Sequence, residues 1–65
     1  MILAKMILYL LNQHEILDTI TLADALEDTR IDERLTFLRS SGYINEVGKN
    51  EYEITPKGRV ALRKI

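Results

Sequence analysis

Between Ile31 and Gly42 the apolar residues Ile31, Leu35 and Leu38 stand at i, i+4 and i+7. That spacing predicts a helix from about Ile31 to Ser41 with one narrow apolar face. Gly42 follows as the left-handed cap that stops it. Asp32 and Glu33 fall in its first turn, where the helix dipole favours anions. A stripe this narrow is buried on one side only, so the opposite face is left for solvent or a ligand. Just upstream, Thr21 starts a shorter helix. Its hydroxyl is placed to cap free N–H groups, with Asp24 at the return position of a capping box. Leu22, Ala23, Ala25 and Leu26 supply small and apolar contacts, and the pattern stops at Glu27, Asp28 and Thr29.

The rest of the chain wraps this pair. Met1 to His14 reads as a first helix, with Ile2, Leu3, Met6, Ile7, Leu10 and Leu11 at helical spacing. Leu8 and Tyr9 widen that stripe beyond one face, so this helix is buried on most sides. The polar break from Asn12 to Ile20 holds Ile16, Leu17 and Ile20 and has room for a short extended piece. After Gly42, Tyr43 to Val47 and Glu51 to Thr55 read as a β-hairpin turning on Gly48, Lys49 and Asn50. Tyr52 and Ile54 alternate onto one face of it. Thr55 then caps a last helix with Pro56 at its first position, where a missing N–H costs nothing. Val60, Ala61, Leu62 and Ile65 are the apolar positions of that helix.

These elements fit one domain over residues 1–65, mainly α with a small antiparallel hairpin. A chain of this length buries only about 60% of the surface its unfolded form exposes, so a partner is a useful staple. Cysteine is absent, which excludes disulfides and thiolate metal sites and suits a reducing cytoplasm. His14 is the only histidine, so no zinc site is expected. The apolar run at the N-terminus is too short to span a bilayer, so no membrane role is expected.

The order helix, short strand, helix, helix, hairpin, helix resembles the winged helix-turn-helix superfamily of small bacterial, archaeal and phage transcription regulators. The residues that carry the resemblance are the Thr-led pair Thr21, Leu22 and Ala23, then Ile31, Leu35 and Leu38 with the exit Gly42, Tyr43 and Ile44. Tyr52, Ile54, Thr55 and Gly58 close the hairpin, with Arg59 after them. The resemblance covers nearly the whole chain. It implies a helix-turn-helix from about Thr21 to Gly42 and binding to double-stranded DNA. The third helix (31–41) would enter the major groove and the hairpin wing (43–55) would lie on the backbone. The implied DNA contacts are Arg30, Arg34, Thr36, Phe37, Arg39, Ser40, Lys49 and Asn50.

Charge weighs against a simple version of that expectation. The net charge is −1, and it is unevenly spread. Residues Glu15 to Glu33 carry −6 and residues Ile54 to Ile65 carry +4. The third helix is neutral and the hairpin is −2, whereas phosphate neutralisation supplies most non-specific affinity for DNA. Asp32, Glu33 and Phe37 stand where basic and small polar residues are usual in the superfamily. The alternative is a protein-interaction module in which Phe37, amid the acidic third-helix face, anchors a partner.

The first helix is the expected homodimer interface, with Ile2, Met6 and Tyr9 on the part of its stripe that one small core leaves over. Enzyme activity is not expected. Ser40 and Ser41 have no base nearby in sequence, there is no glycine-rich phosphate loop, and one small core leaves little room for a substrate pocket. No cofactor or metal is expected: the acids from Asp24 to Glu33 read as solvated helix ends, without the convergent loop spacing of a hard-metal site. Tyr43 and Tyr52 read as sheet packing rather than stacking platforms for bases.

Overall fold

A computed structural model describes residues 2–64, with side chains described from residue 4. The element order is α1 (Ile2–Gln13), β1 (Leu17–Asp18), α2 (Thr19–Leu26), α3 (Ile31–Ser40), β2 (Ile44–Gly48), β3 (Glu51–Ile54) and α4 (Pro56–Arg63). The protein is mainly helical with one small antiparallel sheet in the order β1-β3-β2, an arrangement compatible with a winged helix. The expected extended piece after α1 is therefore a strand of two residues. Leu17 lies opposite Tyr52 and Asp18 opposite Glu51.

The core is built from the stripes predicted above. Ile7, Leu8 and Leu11 of α1 meet Leu22 of α2, Ile31, Leu35 and Leu38 of α3, and Ile44 and Ile54 of the hairpin, all buried. Tyr43 and Tyr52 pack against this cluster, as expected. No helix among the described residues is long and apolar enough to cross a membrane.

The start of α2 differs from expectation. The helix begins at Thr19, and its cap is Asp18 rather than Thr21: the Asp18 carboxylate accepts from the Thr21 N–H at 2.7 Å. The cause is β1. Strand pairing already holds Asp18 in extended backbone at φ −94°, ψ 168°, the conformation a cap residue needs. The Thr19 N–H is used elsewhere, donating to the Asn50 carbonyl at 2.9 Å. The hydrogen bond from Thr21 holds the Asp18 carboxyl below its usual range.

The end of α3 follows expectation. Gly42 sits at φ +84°, the Tyr43 N–H reaches back to the Leu38 carbonyl at 2.9 Å, and the Gly42 N–H reaches Arg39 at 3.0 Å. These two bonds close the helix end and turn the chain into the hairpin. Tyr43 is thereby spent on the turn, and β2 starts at Ile44, one residue later than expected. Its far end runs to Gly48, leaving Lys49 and Asn50 as the turn. The register shifts between Glu46 and Gly48, so Val47 is bulged. Asn50 takes the positive φ of 61° that the tight turn requires.

Thr55 caps α4 as expected, accepting from the Gly58 N–H at 3.0 Å while its hydroxyl donates to the Gly42 carbonyl at 2.7 Å. One expected core position of α4 is not one: Val60 faces solvent. Ala61 and Leu62 supply that helix's apolar contacts to the core cluster, while Ile65 lies outside the described residues.

Candidate nucleic-acid interface

The narrow stripe of α3 has the consequence its spacing implies. Asp32, Glu33, Thr36, Phe37, Arg39 and Ser40 are all exposed on the opposite face. The hairpin turn lies against one edge of this face, because Asp32, Lys49 and Asn50 line one cleft together with Asp18, Thr19, Ile20 and Glu51. The first turns of α2 and α3 and the tip of the hairpin therefore form one continuous surface. Within it Ile20 is 73% exposed, the most exposed of the large apolar side chains among the described residues. Its role was not legible in the sequence, where it looked like part of a polar break.

On the other edge of α3, Phe37 is 60% exposed. It lines a groove with Ala4 of α1 and with Arg30, Glu33 and Arg34.

The three arginines expected to contact DNA are each held by a carboxylate of the same chain. Arg30 donates to Glu33 through Nε at 3.1 Å and Nη2 at 2.8 Å. Arg39 donates from Nη1 to Glu46 at 2.9 Å. Arg34 donates from Nε to Asp28 at 2.6 Å, and this pair is withdrawn from solvent, with side chains only 20% and 6% exposed. Asp28 also accepts from the backbone N–H of Arg30 at 3.0 Å. That bond, with Arg34 beside it, holds the Asp28 carboxyl below its ordinary value against the opposing effect of its desolvation. Arg34 thus fixes the turn before α3, and the exposed cations on the face shared by α3 and the hairpin tip are Arg30, Arg39 and Lys49. Lys49 is exposed and has no polar partner among the described residues.

The basic last helix contributes little to this surface. Lys57 reaches the end of α3, donating to the Ser41 carbonyl at 2.9 Å with its ammonium 5.4 Å from the Tyr43 ring centre. Arg59 and Arg63 instead line a groove beside Asn12 at the end of α1.

Of the expected dimer residues, Tyr9 is 52% and Met6 43% exposed, on the face of α1 opposite Ile7, Leu8 and Leu11. Tyr9 accepts a hydrogen bond from Gln13 at 2.8 Å. The side chain of Ile2 lies outside the described residues. No group of His, Cys, Asp or Glu among the described residues is arranged to hold a metal ion.

No family model, curated protein or solved structure matches the chain.

Proposed function

We propose that the protein is a winged helix-turn-helix regulator that binds double-stranded DNA as a homodimer, with α3 in the major groove and the β2–β3 hairpin as the wing. The observation that carries this reading is the placement of the hairpin turn beside the first turns of α2 and α3. Three elements that a duplex would meet together share one surface. An α-helix with its side chains is about 10–12 Å across, which fits a major groove about 12 Å wide. Thr36 and Ser40 offer hydroxyls on its outer face, and Lys49 offers a phosphate contact at the wing tip. The wing is short and β1 pairs along it up to Glu51, so it rests on the DNA backbone rather than reaching into the minor groove. Such a regulator would work in the cytoplasm, where its DNA is.

The paired arginines set the strength of the interaction. Arg30 and Arg39 must exchange a carboxylate for a phosphate, so each contributes less than a free cation. Binding to random duplex should be weak, with a shallow dependence on salt. Fluorescence anisotropy with random duplex at low salt tests this. The expected dissociation constant lies in the range of roughly 1–100 μM. A folded protein that leaves the duplex unbound across that range refutes the proposal. Dimerisation through Met6 and Tyr9 would present two copies of α3 about one helical turn of DNA apart. Sedimentation equilibrium tests that part, and a monomer at high concentration would refute it.

One observation favours a second reading. Phe37 is exposed beside a groove whose charged rim is already neutralised internally by the Arg30–Glu33 pair. In that reading α3 docks a protein, and Phe37 is the anchor. A pull-down comparing wild type with Phe37→Ala separates the two: a specific partner lost with Phe37 supports protein docking, and one retained refutes it.

A further inference from the structure

We infer that Glu46 is an internal competitor for the DNA backbone: it clasps Arg39 of the recognition helix to the wing tip, and a duplex phosphate must displace it to reach Arg39. The inference rests on the DNA-binding reading above.

Glu46 is on the inner face of the hairpin for a reason that lies in strand alternation. Ile44 is buried, and residues two apart in a strand share a face. Glu46 lies opposite Tyr52, which packs against the core, so its carboxylate leaves the sheet toward α3 rather than away from it. Both of its oxygens are used. One accepts from Arg39 Nη1 at 2.9 Å, and the other accepts from the backbone N–H of Asn50 at 3.2 Å. Asn50 is the positive-φ residue of the turn, and its carbonyl accepts from the Thr19 N–H at 2.9 Å and from the Thr19 hydroxyl at 3.4 Å. A single carboxylate thus connects α3 to the turn, and the turn connects to the first residue of α2.

These contacts give Glu46 two separable roles. Its bond to Asn50 needs only an acceptor oxygen, and it positions the wing tip. Its bond to Arg39 needs the negative charge, and it competes with phosphate. The Arg39 and Glu46 side chains are 50% and 34% exposed, so water and salt reach the pair and the clasp is weak enough to open. Removing the charge while keeping the acceptor should therefore free Arg39 without moving the wing.

Glu46→Gln does this, and Arg39→Gln and the double variant complete a cycle. The readout is duplex affinity by anisotropy over a salt series, with circular dichroism confirming the fold of each variant. Glu46→Gln is expected to tighten binding by roughly two- to five-fold, the scale of an exposed ion pair. It should also steepen the plot of log affinity against log salt by about 0.9, one more phosphate neutralised. On the Arg39→Gln background the same change should have no effect. An equal gain on both backgrounds would show only a general lowering of negative charge and would overturn the inference. A wild type that binds, with Glu46→Gln no tighter, overturns the inference and leaves the DNA-binding reading standing. Neither wild type nor Glu46→Gln binding duplex at all overturns both.

Discussion

Gly58 is the residue at which one added methyl group should do most damage. It is the third residue of α4, it is buried, and it lies under the turn that links α3 to the hairpin. A Cβ built there would overlap the Tyr43 carbonyl oxygen and stand 2.7 Å from Ile54 Cγ1. The carbonyl cannot readily retreat, because it accepts from the Thr55 N–H at 3.0 Å while the N–H of the same residue holds the end of α3. Two effects of Gly58→Ala oppose each other. Replacing glycine inside a helix gains roughly 0.5–1 kcal/mol, and less in a first turn. Forcing a methyl into filled space costs about 1–3 kcal/mol, and the upper end applies when backbone is the obstacle. The cost wins by about 1–2 kcal/mol. In a domain of this size each kcal/mol moves the thermal midpoint by about 4–8 °C, so Tm should fall by roughly 5–15 °C. A circular dichroism melt reads this directly, with the exposed Arg59→Ala in the same helix as the control for propensity alone. An unchanged or raised Tm for Gly58→Ala would refute the close approach of α4 to the hairpin turn.

Other changes follow from the same contacts. Leu35→Ala removes a fully buried side chain from the centre of the core and should cost about 2–5 kcal/mol, enough to leave so small a domain largely unfolded by urea titration. Phe37→Ala removes a mostly exposed ring and should leave the melting curve nearly unchanged; a large loss would place Phe37 in the core instead. Asp18 and Asp28 both have carboxyls held below the ordinary value of 3.8 in the folded state. Their contribution is complete above that value and is lost as pH falls through the lowered folded values. Asp18→Asn and Asp28→Asn should each reduce stability at pH 7 and flatten its decline below pH 3.8, as read by denaturant titrations across that range.

Much of the fold was legible because its signals are local. The i, i+4, i+7 stripe of α3, the glycine after it and the Thr55-Pro56 start of α4 each act within a turn of chain. The start of α2 was misplaced because two capping residues compete over four positions. Asp18 wins through its pairing with Glu51, a contact 33 residues away in sequence. The candidate surface was legible only in part: its α3 and hairpin-tip residues could be named, but Ile20 and the pairing of its charges could not. Arg30 and Glu33 are one helical turn apart, and their pairing could have been foreseen. The partners of Arg34 and Arg39 lie six and seven residues away, across turns whose shape local pattern does not determine. The inward placement of Glu46 was in principle readable from its alternation with Ile44. It was hidden because a glutamate is ordinarily taken for a solvent-facing residue by its type, whatever its position in the alternation.

The hydrogen bonds between Asn50 and Thr19 also bear on how this protein can be altered. A hairpin tip is ordinarily the place where a chain tolerates an insertion, a fused tag or a new pair of termini, because nothing else depends on it. Here the tip carries the acceptor for the first N–H of α2, so lengthening the loop at Lys49–Asn50 would loosen a helix from the other half of the sequence. The permissive site should lie instead at 14–16, between α1 and β1, where every residue is exposed and the backbone bond from the His14 N–H to the Leu10 carbonyl belongs to the end of α1. A library of single-site insertions sorted for folded protein should be depleted at the hairpin tip and enriched there, the reverse of the pattern common among small β-hairpins.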